Sequence, residues 1–189
     1  FHSISALAAL LSPGNGSAYS ALVLFDPPIC KPGVSYEEFD AAATRAAAMA
    51  RRRTALFPTR TTFADLLQYL PIFQRAVPGV CDLVAQTTLR ECSAADGYEL
   101  RCPREYEAQI IEYAGIFAVS VDFGKLLCPT KVVGADPTLP YSYLPTLDLG
   151  DMLGVDYDFL PETTHFLQLE QPQECATAMR EFIALTART

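Results

Sequence analysis

The stretch that decides the fold is FHSISALAALL, Phe1 to Leu11. A serine at position 3 stands just ahead of an Ala/Leu-rich run with helical character, and Ser12-Pro13-Gly14-Asn15-Gly16 ends that run. No polar lead-in precedes Ser3. The stretch is too short to span a membrane and lacks the basic flank of a signal peptide. It therefore reads as a strand-to-helix turn whose feeding strand lies upstream of Phe1.

Outward from there, AYSALVLF (18–25) is short, apolar and bounded by turn residues, ending at Asp26-Pro27-Pro28. This is the pattern of a buried strand in a parallel sheet. TKVVG (130–134) repeats it and ends in Ala135-Asp136-Pro137. Tyr157 to Leu160 reads as a further short strand, and Gln173 to Thr186 as a long helix. Tyr143 to Leu153 is a predicted helix between the last two strands. Strands alternating with helices imply a parallel α/β sheet with right-handed crossovers.

Residues 27–126 have a different character. Helices are predicted over 35–53, with Ser35 as N-cap and Glu38 at capping-box spacing, and over 62–70, 80–91 and 103–113. Tyr98 to Cys102 is a small extended piece. No strand pair stands out, so this block reads as a helical insertion between core segments 1–26 and 127–189.

Composition narrows the function. The 189 residues carry a net charge of −8, which disfavours binding of phosphate backbones, so no nucleic-acid partner is expected. The only basic run, Arg51-Arg52-Arg53, falls where cations suit a helix C-terminal end, and reads as a solvated face. The longest apolar runs fall short of a membrane span. None of the six cysteines forms a CxxC pair, and no His/Cys cluster completes a metal site. Cys81, Cys128 and Cys175 read as small core residues. Cys92 and Cys102 flank a turn at Ala95-Asp96-Gly97, where a cross-hairpin disulfide is the minor reading. Free thiols point to a reducing cytoplasm. Neither a cofactor nor a metal is expected.

Ligands of open parallel sheets bind at the C-terminal ends of the strands. Ser3, Asp26 and Asp136 fall at such ends, and His165 lies in the loop after the last strand. A nucleophile, a base and an orienting acid can converge there. The chain has two histidines. His2 adjoins Ser3, and its side chain diverges from that of its neighbour, which leaves His165 as the general base. Of the acids, Asp136 is preferred because its strand neighbours the one that delivers His165. Asp26 is the alternative. Either one also suits a plain turn before proline.

With these residues in place, the sequence resembles the α/β-hydrolase family. The resemblance rests on His2-Ser3-Ile4-Ser5-Ala6 running into a helix, on PTKVVGAD (129–136), on Thr163-Thr164-His165-Phe166 before the terminal helix, and on the order Ser…Asp…His. It implies a partial parallel sheet of the α/β-hydrolase type with an inserted all-helical cap at 27–126. It also implies an esterase-like serine hydrolase of a small-to-medium apolar substrate, acting through Ser3, His165 and Asp136, with the backbone N–H of Ile4 in the oxyanion hole. The family's elbow is Gly-x-Ser-x-Gly; here Phe1 and Ser5 hold the glycine positions. The family's second oxyanion donor comes from an early-strand loop upstream of this sequence, so the 189-residue chain by itself is expected to be inactive or to fold poorly. Phe39, Phe57, Phe63, Leu66, Leu67, Tyr69, Phe73 and Tyr106 are candidate walls of the substrate pocket, or else cap core. The alternative function is a non-catalytic ligand-binding or signalling protein on the same fold. Family members that open epoxides or haloalkanes use Asp where Ser3 stands, which argues against that chemistry.

Overall fold

The computed structural model describes Ala8, Leu10 and residues 19–29, 34–93, 96–140 and 155–187. Ala8 and Leu10 are helical, in keeping with the Ala/Leu run. The expected elbow at Ser3 and Ile4 and the expected helix at 143–153 lie outside the described residues.

The first strand is Leu22–Phe25 (β1). After it come helix Val34–Arg52 (α1), the two-residue strand Leu56–Phe57 (β2) and helices Arg60–Gln68 (α2) and Val80–Thr88 (α3). Strands Leu89–Glu91 (β3) and Tyr98–Leu100 (β4) precede helices Arg104–Glu112 (α4) and Ala114–Ser120 (α5). Strands Thr130–Gly134 (β5) and Asp156–Phe159 (β6), the short helix Leu167–Glu170 (α6) and helix Pro172–Thr186 (α7) complete the order.

Strands β1, β5 and β6 form a parallel sheet in that order, with Leu24 opposite Val132 and Val132 opposite Tyr157. Both faces are covered, as parallel sheets require. On one face Leu24 and Val132 pack with Ile29, Val121 and Tyr157. On the other, Val133 packs with Leu167 of α6 and Cys175 of α7. Burial on both faces explains why LVLF and the Val132-Val133-Gly134 end of TKVVG are apolar. Gly134 is required by packing: a Cβ there would sit 2.6 Å from the Tyr157 hydroxyl of the neighbouring strand.

The insertion is not all-helical. Strands β2, β4 and β3 form a small antiparallel sheet within it, closed over Phe57, Leu89 and Leu100. The helix expected to run to Glu91 stops at Thr88, because Leu89 is fully buried and pairs with Leu100. Strands of two and three residues are too short to display an alternation, and their partners are distant in sequence. The β3–β4 hairpin turns through Gly97 at φ 115°, where a Cβ would meet the Phe57 carbonyl oxygen at 2.6 Å. Cys92 and Cys102 do flank this hairpin, and both are free thiols. Ser35, expected as an N-cap, lies inside α1, which begins at Val34.

Helices α1 and α4 approach closely through Ala47, Ala50 and Ala108. The basic run at the end of α1 is more than a solvated face. Arg51 Nε and Nη1 donate to Glu105 at 2.9 Å and Glu112 at 2.6 Å on α4, and Arg53 pairs with Glu107. These hydrogen bonds hold the Glu105 and Glu112 carboxyls below their usual range and raise the Arg51 guanidinium. The insertion meets the core over the loop after β6. There Val77 N–H donates to Leu169 O at 2.9 Å, Arg75 Nη1 donates to Glu162 O at 2.9 Å, and the Phe73 and Phe166 rings lie 5.4 Å apart.

Candidate active site

Asp26, Asp136 and His165 all stand at the C-terminal edge of the parallel sheet, where the alternation of strands and helices placed them. Asp26 follows β1 directly. Its N–H donates to Val133 O at 2.8 Å, and its Oδ1 accepts from Ala135 N–H at 3.2 Å, so the residue is held against the end of β5. Its other oxygen, Oδ2, lies 2.9 Å from His165 Nδ1. An ionised carboxylate only accepts, which assigns the proton to Nδ1 and leaves Nε2 as the basic nitrogen. Asp26 is fully buried, while the His165 side chain is 22% exposed.

Asp26 also adopts φ 37°, a left-handed conformation that aspartate tolerates better than most residues and that is unusual ahead of a proline. Strained backbone of this kind concentrates at functional sites. Beside it, burial and the charges of Asp26 and Asp158 push the Tyr157 phenol above its usual value, keeping it neutral.

The preference for Asp136 over Asp26 is reversed by this geometry. Asp136 does sit on the strand next to β6, but its carboxylate is engaged elsewhere. Oδ1 accepts from Thr138 N–H at 2.9 Å and Thr138 Oγ1 at 2.6 Å, and Oδ2 accepts from Glu162 N–H at 2.9 Å. These bonds hold its carboxyl below the usual range. Its own N–H donates to Thr163 O at 3.0 Å, so Asp136 braces the loop that carries His165. Glu162, at φ 61°, is the turn of that loop.

The signal that separates the two aspartates was present in the sequence. Asp136-Pro137-Thr138 offers a backbone and a hydroxyl donor two residues on, the recipe for an Asx turn. Asp26-Pro27-Pro28 offers neither, because proline has no N–H. The Asp26 carboxylate finds its partners across the sheet instead.

Sequence reasoning missed Glu170. This buried carboxylate on α6 accepts from Thr164 N–H at 2.7 Å and from the Thr164 hydroxyl, locking the residue before His165.

His165 opens onto a cavity of about 350 Å³ lined by Phe39, Ala42, Ala43 and Ala46 of α1, Ile110 and Ile111 of α4, Ala114 of α5, and Ile72 and Phe166. Of the candidate walls, Phe39 lines this cavity, and Phe63, Leu67 and Phe73 line a neighbouring one. Phe57 is core of the small sheet, and Leu66, Tyr69 and Tyr106 are exposed. The alanines of α1 went unnoticed because small residues usually signal helix contact rather than a pocket floor.

Among the described residues no three His, Cys, Asp or Glu side chains cluster as metal ligands, and no helix is long and apolar enough to cross a membrane.

No protein-family model matches the chain, and no curated protein matches it. Solved structures do. The chain is similar to E-2-(acetamidomethylene)succinate hydrolase at 15% identity and TM-score 0.69, over 95% of this chain and 62% of that one. It is similar to MenH from S. aureus at 13% identity and TM-score 0.64, over 98% and 65%. It is also similar to the peroxisomal α/β-hydrolase Lpx1 from Saccharomyces cerevisiae at 11% identity and TM-score 0.62, over 96% and 50%. The chain thus spans less than two thirds of the length of each. Likeness at these identities speaks to architecture alone: the chain has the α/β-hydrolase fold.

Proposed function

We propose that the full-length protein is a serine hydrolase cleaving a carboxylic ester, or a related acyl bond, of a small-to-medium apolar substrate, and that its triad is Ser3, His165 and Asp26. The observation that carries this reading is the 2.9 Å contact between Asp26 Oδ2 and His165 Nδ1 at the sheet's C-terminal edge, facing an apolar cavity. A buried carboxylate fixing an imidazole tautomer is the base-and-orienter half of a nucleophilic triad. The nucleophile is read from the sequence: Ser3 stands ahead of the Ala/Leu-rich run in which Ala8 and Leu10 are helical, the place in chain order where the family resemblance puts the elbow serine.

In this reading Ser3 Oγ attacks the acyl carbonyl carbon while its proton passes to His165 Nε2. Asp26 stabilises the resulting imidazolium. The Ile4 N–H donates to the oxyanion. Collapse of the tetrahedral species breaks the bond to the leaving group, which takes the proton from Nε2, and water then hydrolyses the acyl-enzyme by the same route. Residues 27–126 act as the cap, with the walls of α1 and α4 selecting an apolar acyl group.

The test is labelling of the full-length protein by a fluorophosphonate, with the modified residue located by peptide mass spectrometry. Label is expected on Ser3 in the wild type and absent in Ser3→Ala and His165→Gln. Label elsewhere, or no label on a folded protein, would overturn the assignment. One observation favours the second reading, a non-catalytic binding protein: the bulky Phe1 stands where the elbow pattern has glycine. Ligand binding without turnover or labelling would select it.

A further inference from the structure

The cavity at His165 is not a closed chamber. A second cavity, of about 510 Å³, adjoins it, and Cys102, Glu107 and Phe166 line both. These three side chains form a neck between two rooms of different chemistry. In the first room the polar side chains are Cys102, Glu107 and His165. The second is walled by apolar side chains such as Leu67, Val84 and Leu100, with Arg53 and Arg101 set among them.

The two arginines are not equivalent. Arg53 is paired with Glu107 at the neck. Arg101 is anchored without being neutralised: its Nε donates to Leu89 O at 3.1 Å and its backbone N–H to Thr88 O at 2.8 Å. Among the described residues no carboxylate pairs with it, so its two terminal nitrogens remain available as donors. With Glu107 the only acid on that wall, the second room carries a net positive charge inside a largely apolar lining. A guanidinium whose Nε is held by a backbone carbonyl, on an exposed residue that lines a cavity, is suited to bidentate recognition of a planar anion.

We propose that the substrate is an elongated acyl compound with an anionic far end, a carboxylate by preference. Its scissile carbonyl lies at His165, its apolar chain passes the neck, and its carboxylate is received by Arg101 in the second room. The proposal rests on the reading of the His165 cavity as the substrate site. It deepens that reading by changing the substrate class from a plain apolar ester to one apolar in the middle and charged at the distal end.

The experiment is isothermal titration of the full-length protein with non-hydrolysable alkyl amides of graded chain length. Each is used in two forms, one ending in a carboxylate and one in a neutral methylamide. The carboxylate form is expected to bind about tenfold more tightly or better once the chain spans both rooms, a difference typical of a charge-assisted pair. Added salt should erode that preference. Arg101→Ala should abolish the preference by bringing the carboxylate series down to the level of the neutral one, and Arg101→Lys should retain part of it. Circular dichroism and thermal melts matching the wild type certify that the variants fold. Equal binding of the two forms to the wild type, or a preference that survives Arg101→Ala, would overturn the proposal. Because titration needs no chemistry, the outcomes separate. An Arg101-dependent preference without fluorophosphonate labelling sinks the hydrolase reading alone, and labelling without the preference sinks this proposal alone.

Discussion

Asp26 and His165, 139 positions apart in the chain, meet at 2.9 Å, Oδ2 to Nδ1, while Asp136 turns its carboxylate to Thr138 and Glu162. One aspartate orients the imidazole and the other orients the loop that carries it. The two roles predict different kinetics. Under the proposed triad, Asp26→Asn in the full-length protein should lower kcat by about 10³–10⁴-fold, as expected when the imidazole loses its tautomer-fixing partner. Asp136→Asn should cost no more than about tenfold, because neither of its contacts touches the imidazole. Steady-state kinetics on a 4-nitrophenyl ester decide it, and the reverse ranking would restore Asp136 as the acid.

Asp136 carries a pH signature of its own. Its carboxyl is held below the ordinary value of 3.8 by the Thr138 hydroxyl first, then by the Glu162 and Thr138 N–H groups. A carboxyl with a depressed folded pKa contributes stability that is present above its unfolded pKa and lost as the pH falls through the folded one. Thermal melts taken from about pH 5 to about pH 3 should therefore show a shallower loss of Tm in Asp136→Asn than in the wild type. Parallel curves would show that the brace adds nothing to acid stability.

Gly134 and Tyr157 are predicted to be coupled. Gly134→Ala places a methyl 2.6 Å from the phenol oxygen, closer than atoms tolerate, and should destabilise by about 1–3 kcal/mol in denaturant titrations. In a Tyr157→Phe background that oxygen is gone and the penalty should shrink. An equal penalty in both backgrounds would locate the obstacle in the backbone instead.

The cysteines should divide by environment. Cys175 is buried against Val133 and Leu167, and burial pushes its thiol up to about 11. Cys128 is also buried, whereas Cys102 is exposed at the neck between the two cavities. Because the thiolate is the nucleophile, iodoacetamide at about pH 8 should alkylate Cys102 well before Cys128 or Cys175. Rapid modification of Cys175 in the native state would contradict this packing.

Much of the architecture was legible because its elements are local. LVLF is apolar over its whole length and TKVVG over its last three residues, since both faces of a parallel sheet are buried, and Asp-Pro follows the end of each strand. The helices of the insertion carry their own periodicity. The small sheet β2–β4–β3 was hidden, because strands of two or three residues show no pattern and owe their existence to partners far away in sequence.

By itself, then, the sequence pointed to the class of fold and to the sheet edge where polar residues gather, and it singled out His165 as the candidate base, because one of the two histidines is badly placed. The tertiary structure decided which aspartate faces that histidine, which side chains line the cavity beside it, and that Arg53 and Arg101 line the adjoining one. The reason is physical. An Asx turn closes within three residues and captures Asp136 locally, whereas Asp26, followed by two prolines, has no local donor. Its partners exist only once three strands have been laid side by side.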